Sequence, residues 1–339
     1  MQPEISVILP VYNSGRFLKD SIESILGQSF KKIELIIIND GSADESVNII
    51  TSFNNHRIKF LNNASNSGIV SVLNQGLAHA SGKYIARMDG DDISLPSRLQ
   101  LQYDYMEQHP QCVLLGTKVK ILGTDKIPDS YHRDEELKFS LLFGSPFVHP
   151  SVFIRRSVLT ANNLQYEERF KHAEDYGLWI QIAPYGELAI LKETCLEYRK
   201  HSMQVSNKHR GQMLETTEMI RALYAEKIGL QLSVKEKALL NKIAEKEIEY
   251  NDDGSLIDAG SFLQELPGRL SSFANDAVMK RIAYTHWRRL CLERQRRGKN
   301  CYNIFLKNQL VKINSDIKTH TWFLKNIIIN KNPFISKPA

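Results

Sequence analysis

An α/β fold with a mainly parallel sheet covered on both faces, extended by a helical C-terminal region, is what this 339-residue sequence predicts. Three observations carry that prediction. Apolar strand-like runs alternate with helical periods through the first hundred residues, the second hundred continue as α+β material, and from about Gly211 the pattern is almost wholly helical. With 42% hydrophobic and 24% charged residues the chain is neither collagen-like nor disordered.

Ile5 to Leu9 is a short apolar strand stopped by Pro10, and Phe17, Leu18, Ile22, Ile25 and Leu26 follow at helical spacing. Ile33 to Ile38 forms a β-branched strand ended by Asn39-Asp40-Gly41-Ser42, after which Asp44 can cap a helix carrying Val47, Ile49 and Ile50. Arg57 to Leu61, Gly68 to Ala80 and Lys83 to Met88 repeat strand, helix, strand. Four strands separated by three helices predict parallel pairing, with ligands bound at the carboxyl edge. A helix over Ser97 to Gln108 follows, then strands at 113–122, 151–154 and 188–198 and helices near 134–143 and 173–182. The expected domains are residues 1–210, with halves 1–100 and 101–210, and a helical region 211–339.

The sharpest chemical feature is Met88-Asp89-Gly90-Asp91-Asp92 at the end of the fourth strand. Three carboxylates in four positions repel one another, so they either form a solvated acidic turn or hold a divalent cation. Their place at a strand end favours the cation, and oxygen ligands favour Mg²⁺ or Mn²⁺. Asp40 ends the second strand at the same edge, and Asn66-x-Gly68 opens a helix whose free N–H groups suit a phosphate or ribose. Each of these is equally ordinary as turn or cap chemistry.

Taken together, Ser6-Val7-Ile8-Leu9-Pro10-Val11-Tyr12-Asn13, Ile38-Asn39-Asp40-Gly41-Ser42, Asn66-Ser67-Gly68 and Ala86-Arg87-Met88-Asp89-Gly90-Asp91-Asp92 resemble the nucleotide-sugar half of a family 2 glycosyltransferase. The resemblance covers residues 4–207 and implies the Rossmann-like GT-A fold with an inverting mechanism. In it Pro10, Val11, Tyr12, Asn13 and Asp40 hold the uridine, Asn66 and Gly68 lie near the nucleoside, and Arg87 belongs to the donor site. Asp89 and Asp91 hold metal and diphosphate, and Asp92 contacts the sugar or supports the loop. Ala173-Glu174-Asp175-Tyr176 looks like the motif that supplies the catalytic base, with Asp175 as base and Glu174 positioning the acceptor or tuning its neighbour. Tyr198 to Ser206 resembles the loop over the donor diphosphate. There His201 is a metal or phosphate ligand, Arg199 balances leaving-group charge, and Gln204 and Ser206 join the donor contacts. His149 matches a position on the acceptor side. The implied donor is a UDP-sugar and the implied acceptor a saccharide, polyprenyl-diphosphate-linked, in O-antigen, lipopolysaccharide or capsule synthesis. A sugar nucleotidyltransferase or a silent saccharide-binding protein are the alternatives, and Val11 to Arg16 lacks the Gly-rich basic loop of the first. Absence of G-x-x-x-x-G-K-[ST] and G-x-G-x-x-G argues against an NTPase or dehydrogenase.

Charge is unevenly spread. Residues 277–339 carry 14 Lys and Arg against Glu293 and Asp316, leaving 30 basic against 36 acidic residues upstream. Lys280, Arg281, Arg288, Arg289, Arg294, Arg296, Arg297 and Lys299 interleave with Tyr284, Trp287 and Leu290, and Phe305, Leu306, Trp322, Phe323, Leu324 and Ile327 to Ile329 add apolar surface. That pattern predicts peripheral attachment to an anionic membrane surface, on the cytoplasmic face, with a helical cap as the alternative; no nucleic-acid motif accompanies it. Cys112, Cys195, Cys291 and Cys301 form no C-x-x-C pair, which fits a reducing compartment. Met1 runs directly into the first strand without signal-peptide features, so the mature chain is expected to start there and the protein to be cytoplasmic.

Overall fold

The computed structural model describes residues 2–200, 209–248, 252–270, 273–314 and 319–323. The chain divides into two compact units, one of residues 1–141 and 145–220, the other of residues 142–144 and 221–339.

The first unit holds eight strands, β1 (Ile5–Val11), β2 (Ile33–Asp40), β3 (Ile58–Asn63), β4 (Tyr84–Arg87), β5 (Ile93–Ser94), β6 (Cys112–Ile121), β7 (Phe153–Arg155) and β8 (Glu187–Tyr198), in the order β3-β2-β1-β4-β7-β6-β8-β5. Pairs β1–β2, β2–β3, β1–β4 and β6–β8 are parallel. β7 runs antiparallel to β4 and β6, and β5 antiparallel to β8. The sheet is therefore mixed and mainly parallel, as the strand–helix alternation predicts. Its helices are α1 (Gly15–Leu26), α2 (Ser46–Ser52), α3 (Ile69–His79), α4 (Arg98–Gln108), α5 (Asp134–Ser140), α6 (Arg156–Ala161), α7 (Glu174–Ile182) and α8 (Arg210–Lys227), the last ending in the second unit.

The period of two along β1 divides its side chains between two layers. Ile5, Val7, Leu9 and Val11 share a cluster with Leu18, Ile22 and Ile25 of α1 and with Leu99 and Met106 of α4. Ile8 faces the other way, so close to α3 that a Cβ on Gly76 would meet its Cγ2 at 2.5 Å. Both faces are covered, which is why β1 and β2 read as continuous apolar runs rather than alternating ones.

Two turns at the carboxyl edge lock one another. Asn13 adopts φ 48°, a left-handed conformation that Asn tolerates better than most residues. Its N–H donates to Ser42 Oγ at 2.9 Å, and its Oδ1 accepts from Ala43 N–H at 2.9 Å. Gly15 N–H donates to Asp44 Oδ2 at 2.9 Å. Gly41 has φ 70°, and a Cβ there would lie 2.7 Å from the Ser65 carbonyl carbon, so glycine alone fits.

The second unit contains α9 (Val234–Glu245), α10 (Asp253–Arg269), α11 (Asp276–Arg296), α12 (Tyr302–Lys307) and α13 (Gln309–Asn314). Ser233 and Glu236 form a capping box at α9, Asp252 caps α10 through Gly254 and Ser255 N–H, and Asn275 caps α11. Here the membrane expectation is corrected for five side chains, while Leu306 is 37% exposed and Trp322 half-buried. Tyr284, Trp287, Leu290, Phe305 and Phe323 are buried within this unit, with Trp287 against Gly260 of α10 and Phe305 4.8 Å from Phe323 between ring centroids. They join Leu256, Leu263, Met279 and Ile282 in the core of this unit. Arg281, Arg296, Arg297 and Lys299 remain exposed. Leu324 and Ile327 to Ile329 lie outside the described residues. Among the described residues no helix is long and apolar enough to cross a membrane.

Candidate active site

β4 delivers the acidic turn to the carboxyl edge, beside the point where the chain order switches from β2 to β4 on the two sides of β1. Ligand oxygens of Asp89, Asp91 and Asp92 lie within 4.8 Å of one another. Arg87 Nη1 pairs with Asp89 Oδ1 at 2.5 Å, and Ser21 Oγ donates to the Asp89 carbonyl at 2.7 Å. Asp92 is 1% exposed; its Oδ1 accepts from Arg199 N–H at 2.8 Å, while its Oδ2 has no partner among the described residues. Burial raises the Asp89 carboxyl above its usual range, opposed by Arg87 and reinforced by Asp91. Burial and the charge of Asp89 push Asp92 up to about 8. A close set of oxygen donors, with one buried oxygen unsatisfied and two carboxyls driven toward protonation, fits a hard divalent cation.

Beneath the turn lies Arg98, which is fully buried. Its Nη2 donates to the Arg87 carbonyl at 2.8 Å and its Nε to Gln102 Oε1 at 3.0 Å, while Gln102 Nε2 donates to the Ser151 carbonyl at 2.9 Å. Burial lowers it to about 10, so it stays cationic under the carboxylates. Sequence reasoning missed it, because a single Arg in the first turn of a helix reads as solvated.

Glu174 and Asp175 form the first turn of α7, where the macrodipole favours carboxylates. Burial, then the charge of Asp175, raises Glu174 to about 7, and its Oε2 has no partner among the described residues. Burial raises Asp175 to about 6 against the opposing backbone N–H of Tyr176. The helix start is set by close packing, since a Cβ on Gly177 would lie 2.2 Å from the Phe170 ring. Gly177→Ala is therefore expected to destabilise the protein by about 1–3 kcal/mol through overpacking, and to displace Glu174 and Asp175. A thermal melt reads the first effect; an unchanged melting temperature would contradict this packing.

These elements converge. One cleft of about 1150 Å³ is lined by Pro10, Val11, Tyr12, Asn13, Asp40, Asn66, Gly68, Arg87, Asp89, Asp91, His149, Glu174 and Asp175. Carboxylates from β2, the β4 turn and α7 thus share one crevice. Tyr12 is 53% exposed on its wall. Three of the anticipated residues have protein partners. Asp40 accepts from Asn63 Nδ2 at 3.3 Å, from Ser67 N–H and Oγ at 2.8 Å each, and from Gly68 N–H at 2.9 Å. With both oxygens so engaged it braces the Asn66 to Gly68 turn. Arg199 donates from Nε to the Asp91 carbonyl at 2.8 Å and stacks over Phe17 at 4.2 Å, steadying the acidic turn. Asp92 sits behind Asp89 and Asp91, supporting the loop. His201, Gln204 and Ser206 lie outside the described residues.

Fold and cleft together define a GT-A transferase. Residues 6–161 match the family model described as Glycosyl transferase family 2. An uncharacterized glycosyltransferase of Haemophilus influenzae is 29% identical over 300 residues, covering 83% of this chain and 91% of the relative. The amylovoran biosynthesis glycosyltransferase AmsE of Erwinia amylovora is 30% identical over 235 residues, 67% of this chain and 86% of AmsE. The crystal structure of S. aureus TarS 1-349 in complex with UDP-GlcNAc shares the fold, with TM-score 0.60 and 20% identity over 88% of this chain and 93% of that one. The chain belongs to glycosyltransferase family 2.

Proposed function

We propose that this chain is a metal-dependent inverting transferase that moves a sugar from a UDP-linked donor to a hydroxyl of a saccharide acceptor. The observation that supports it most is the meeting of the Asp89 and Asp91 carboxylates with Glu174 and Asp175 in one cleft. Asp175 takes the proton of the acceptor hydroxyl as its oxygen bonds to the anomeric carbon. The bond from that carbon to the diphosphate breaks on the opposite face with its electron pair, so the configuration inverts. Glu174, near its midpoint at neutral pH, orients the acceptor. Tyr12 offers a ring for the base, and the Asn66 to Gly68 turn, braced by Asp40, lines the cleft beside the nucleoside. Asp89 and Asp91, backed by Asp92, are the residues to hold Mn²⁺ or Mg²⁺, which when bound neutralises charge on the departing diphosphate. UDP release from a panel of UDP-sugars, with Mg²⁺ or Mn²⁺ and with chelator, tests this; folded protein that releases UDP from none of them in either metal would overturn it.

The likeness to an amylovoran biosynthesis glycosyltransferase supports a part in polysaccharide synthesis, and we propose a saccharide acceptor carried on polyprenyl diphosphate. Because Tyr284, Trp287, Phe305 and Phe323 are buried, the membrane contribution proposed here is mainly electrostatic, through Arg281, Arg296, Arg297 and Lys299, each contributing about 1 kcal/mol near an anionic surface. Replacing Arg296, Arg297 and Lys299 together by Glu is expected to abolish flotation with phosphatidylglycerol vesicles in low salt. Flotation equal to wild type would remove the tail from the attachment.

A further inference from the structure

The floor of the cleft holds an interaction that the transfer reaction as described does not use. His149 Nε2 lies 2.9 Å from the hydroxyl of Tyr166, a residue 3% exposed. Tyr166 is fixed from the other side by α3, because Asn74 Nδ2 donates to its carbonyl at 2.8 Å and Asn74 Oδ1 accepts its N–H at 3.0 Å. His149 also meets the Trp179 ring edge-on at 5.7 Å, and Trp179 lies one turn after Asp175 on α7. The imidazole therefore sits on the face of α7 that carries the proposed base.

Among the described residues the Tyr166 hydroxyl has no partner but His149 Nε2, and a buried hydroxyl proton needs an acceptor. Only one arrangement meets that need. If Nε2 carried the imidazole hydrogen, it would donate to Tyr166 and leave the phenol proton buried without a partner. With Nε2 bare, the phenol donates to it and the hydrogen sits on Nδ1. Nδ1 has no protein partner among the described residues, and the ring lines the cleft. We infer that Tyr166 is a positioning residue that holds His149 in its Nδ1–H tautomer, so that the ring donates a hydrogen bond to an oxygen of the saccharide bound beside Asp175. Burial and the nearby Arg87 keep His149 far below its usual pKa, so the donor is neutral. A sugar oxygen suits it better than a phosphate, which Glu174 and Asp175 would repel.

The inference rests on the transferase reading only for the identity of the ligand; the tautomer is independent of it. Long-range ¹H–¹⁵N correlation spectra of the full chain labelled in histidine should show His149 protonated at Nδ1 and bare at Nε2. Tyr166→Phe should lose that preference. A wild-type Nε2–H tautomer, or a Tyr166→Phe spectrum like wild type, overturns the proposal. A second pair of variants does not depend on Tyr166→Phe folding. Asn places its amide nitrogen near the Nδ1 position and Gln near Nε2, so with a UDP-sugar that turns over, His149→Asn should retain kcat/KM within about tenfold and His149→Gln should lose about a hundredfold. Equal losses, or the reverse order, also overturn it. If wild type binds no UDP-sugar while the Nδ1–H tautomer is present, the transferase reading fails and the Tyr166 assignment stands.

Discussion

Asp175→Asn should fold normally and lose about 10²- to 10⁴-fold in turnover, the range for removing a positioned general base. The amide keeps the shape of the carboxylate and cannot accept a proton, so the loss should appear in kcat with donor KM little changed. Burial sets the folded pKa of Asp175 at about 6, against an ordinary value of 3.8. Turnover requires the ionised form, so the rate should fall tenfold per pH unit below about 6 in wild type, and the variant should lack that limb. Stability moves in the opposite sense. Between these two pKa values the folded state binds more protons than the unfolded, so wild type loses stability as pH rises through that window. The variant, with no charge to bury, should be the more stable above pH 6 by thermal melt. A well-folded variant with near-normal turnover would remove Asp175 from the chemistry.

That Asp175 can be singled out at all depends on what the sequence made legible. Long apolar runs with turn signals specified β1 to β4 and the helices between them, because a strand buried on both faces and an amphipathic helix each leave a period in the chain. β5 left none. Ile93 and Ser94 pair with Glu197 and Leu196, more than a hundred residues away, and two residues carry no period of their own. The antiparallel direction of β7 was equally invisible, being set by the strands on either side.

The same division holds in the site. Asp89, Asp91, Glu174 and Asp175 were legible because acidic residues crowd at element ends. Of the partners that hold them, Arg87 and Arg199 were legible and others were not. Arg98 looks like any surface Arg until the fold places it under the acidic turn, and Tyr166 is an isolated aromatic until His149 lies against its hydroxyl. Asp40 was legible as a residue at the site, but its bracing bonds were not, since Ser67 and Gly68 reach it only after β3 has paired with β2. Its four hydrogen bonds exist only in the assembled edge.

Asp91→Asn should separate what the acidic turn does for catalysis from what it costs the fold. The substitution leaves the Arg87–Asp89 ion pair and the bond from Arg199 N–H to Asp92 in place, and a thermal melt without metal separates loss of the cation from a collapsed loop. Turnover should fall by about 10²- to 10³-fold, comparable to removing one electrostatic stabiliser of a leaving group. Wild type should also gain stability from Mn²⁺, about 2.7 kcal/mol at a hundred times the dissociation constant, and the variant should gain much less at the same concentration. Without metal the order reverses. The charge of Asp91 helps to raise both Asp89 and Asp92, and Asp92 titrates at about 8 in the folded chain against 3.8 ordinarily. Across that interval the metal-free wild type becomes less stable as pH rises, because its folded state holds a proton that the unfolded state has released. Removing one like charge eases the ionisation of the other two, so metal-free Asp91→Asn should melt higher than wild type at pH 8, with the difference vanishing near pH 4. Equal Mn²⁺-induced shifts in the two proteins would mean that the cation, if one binds, is held elsewhere.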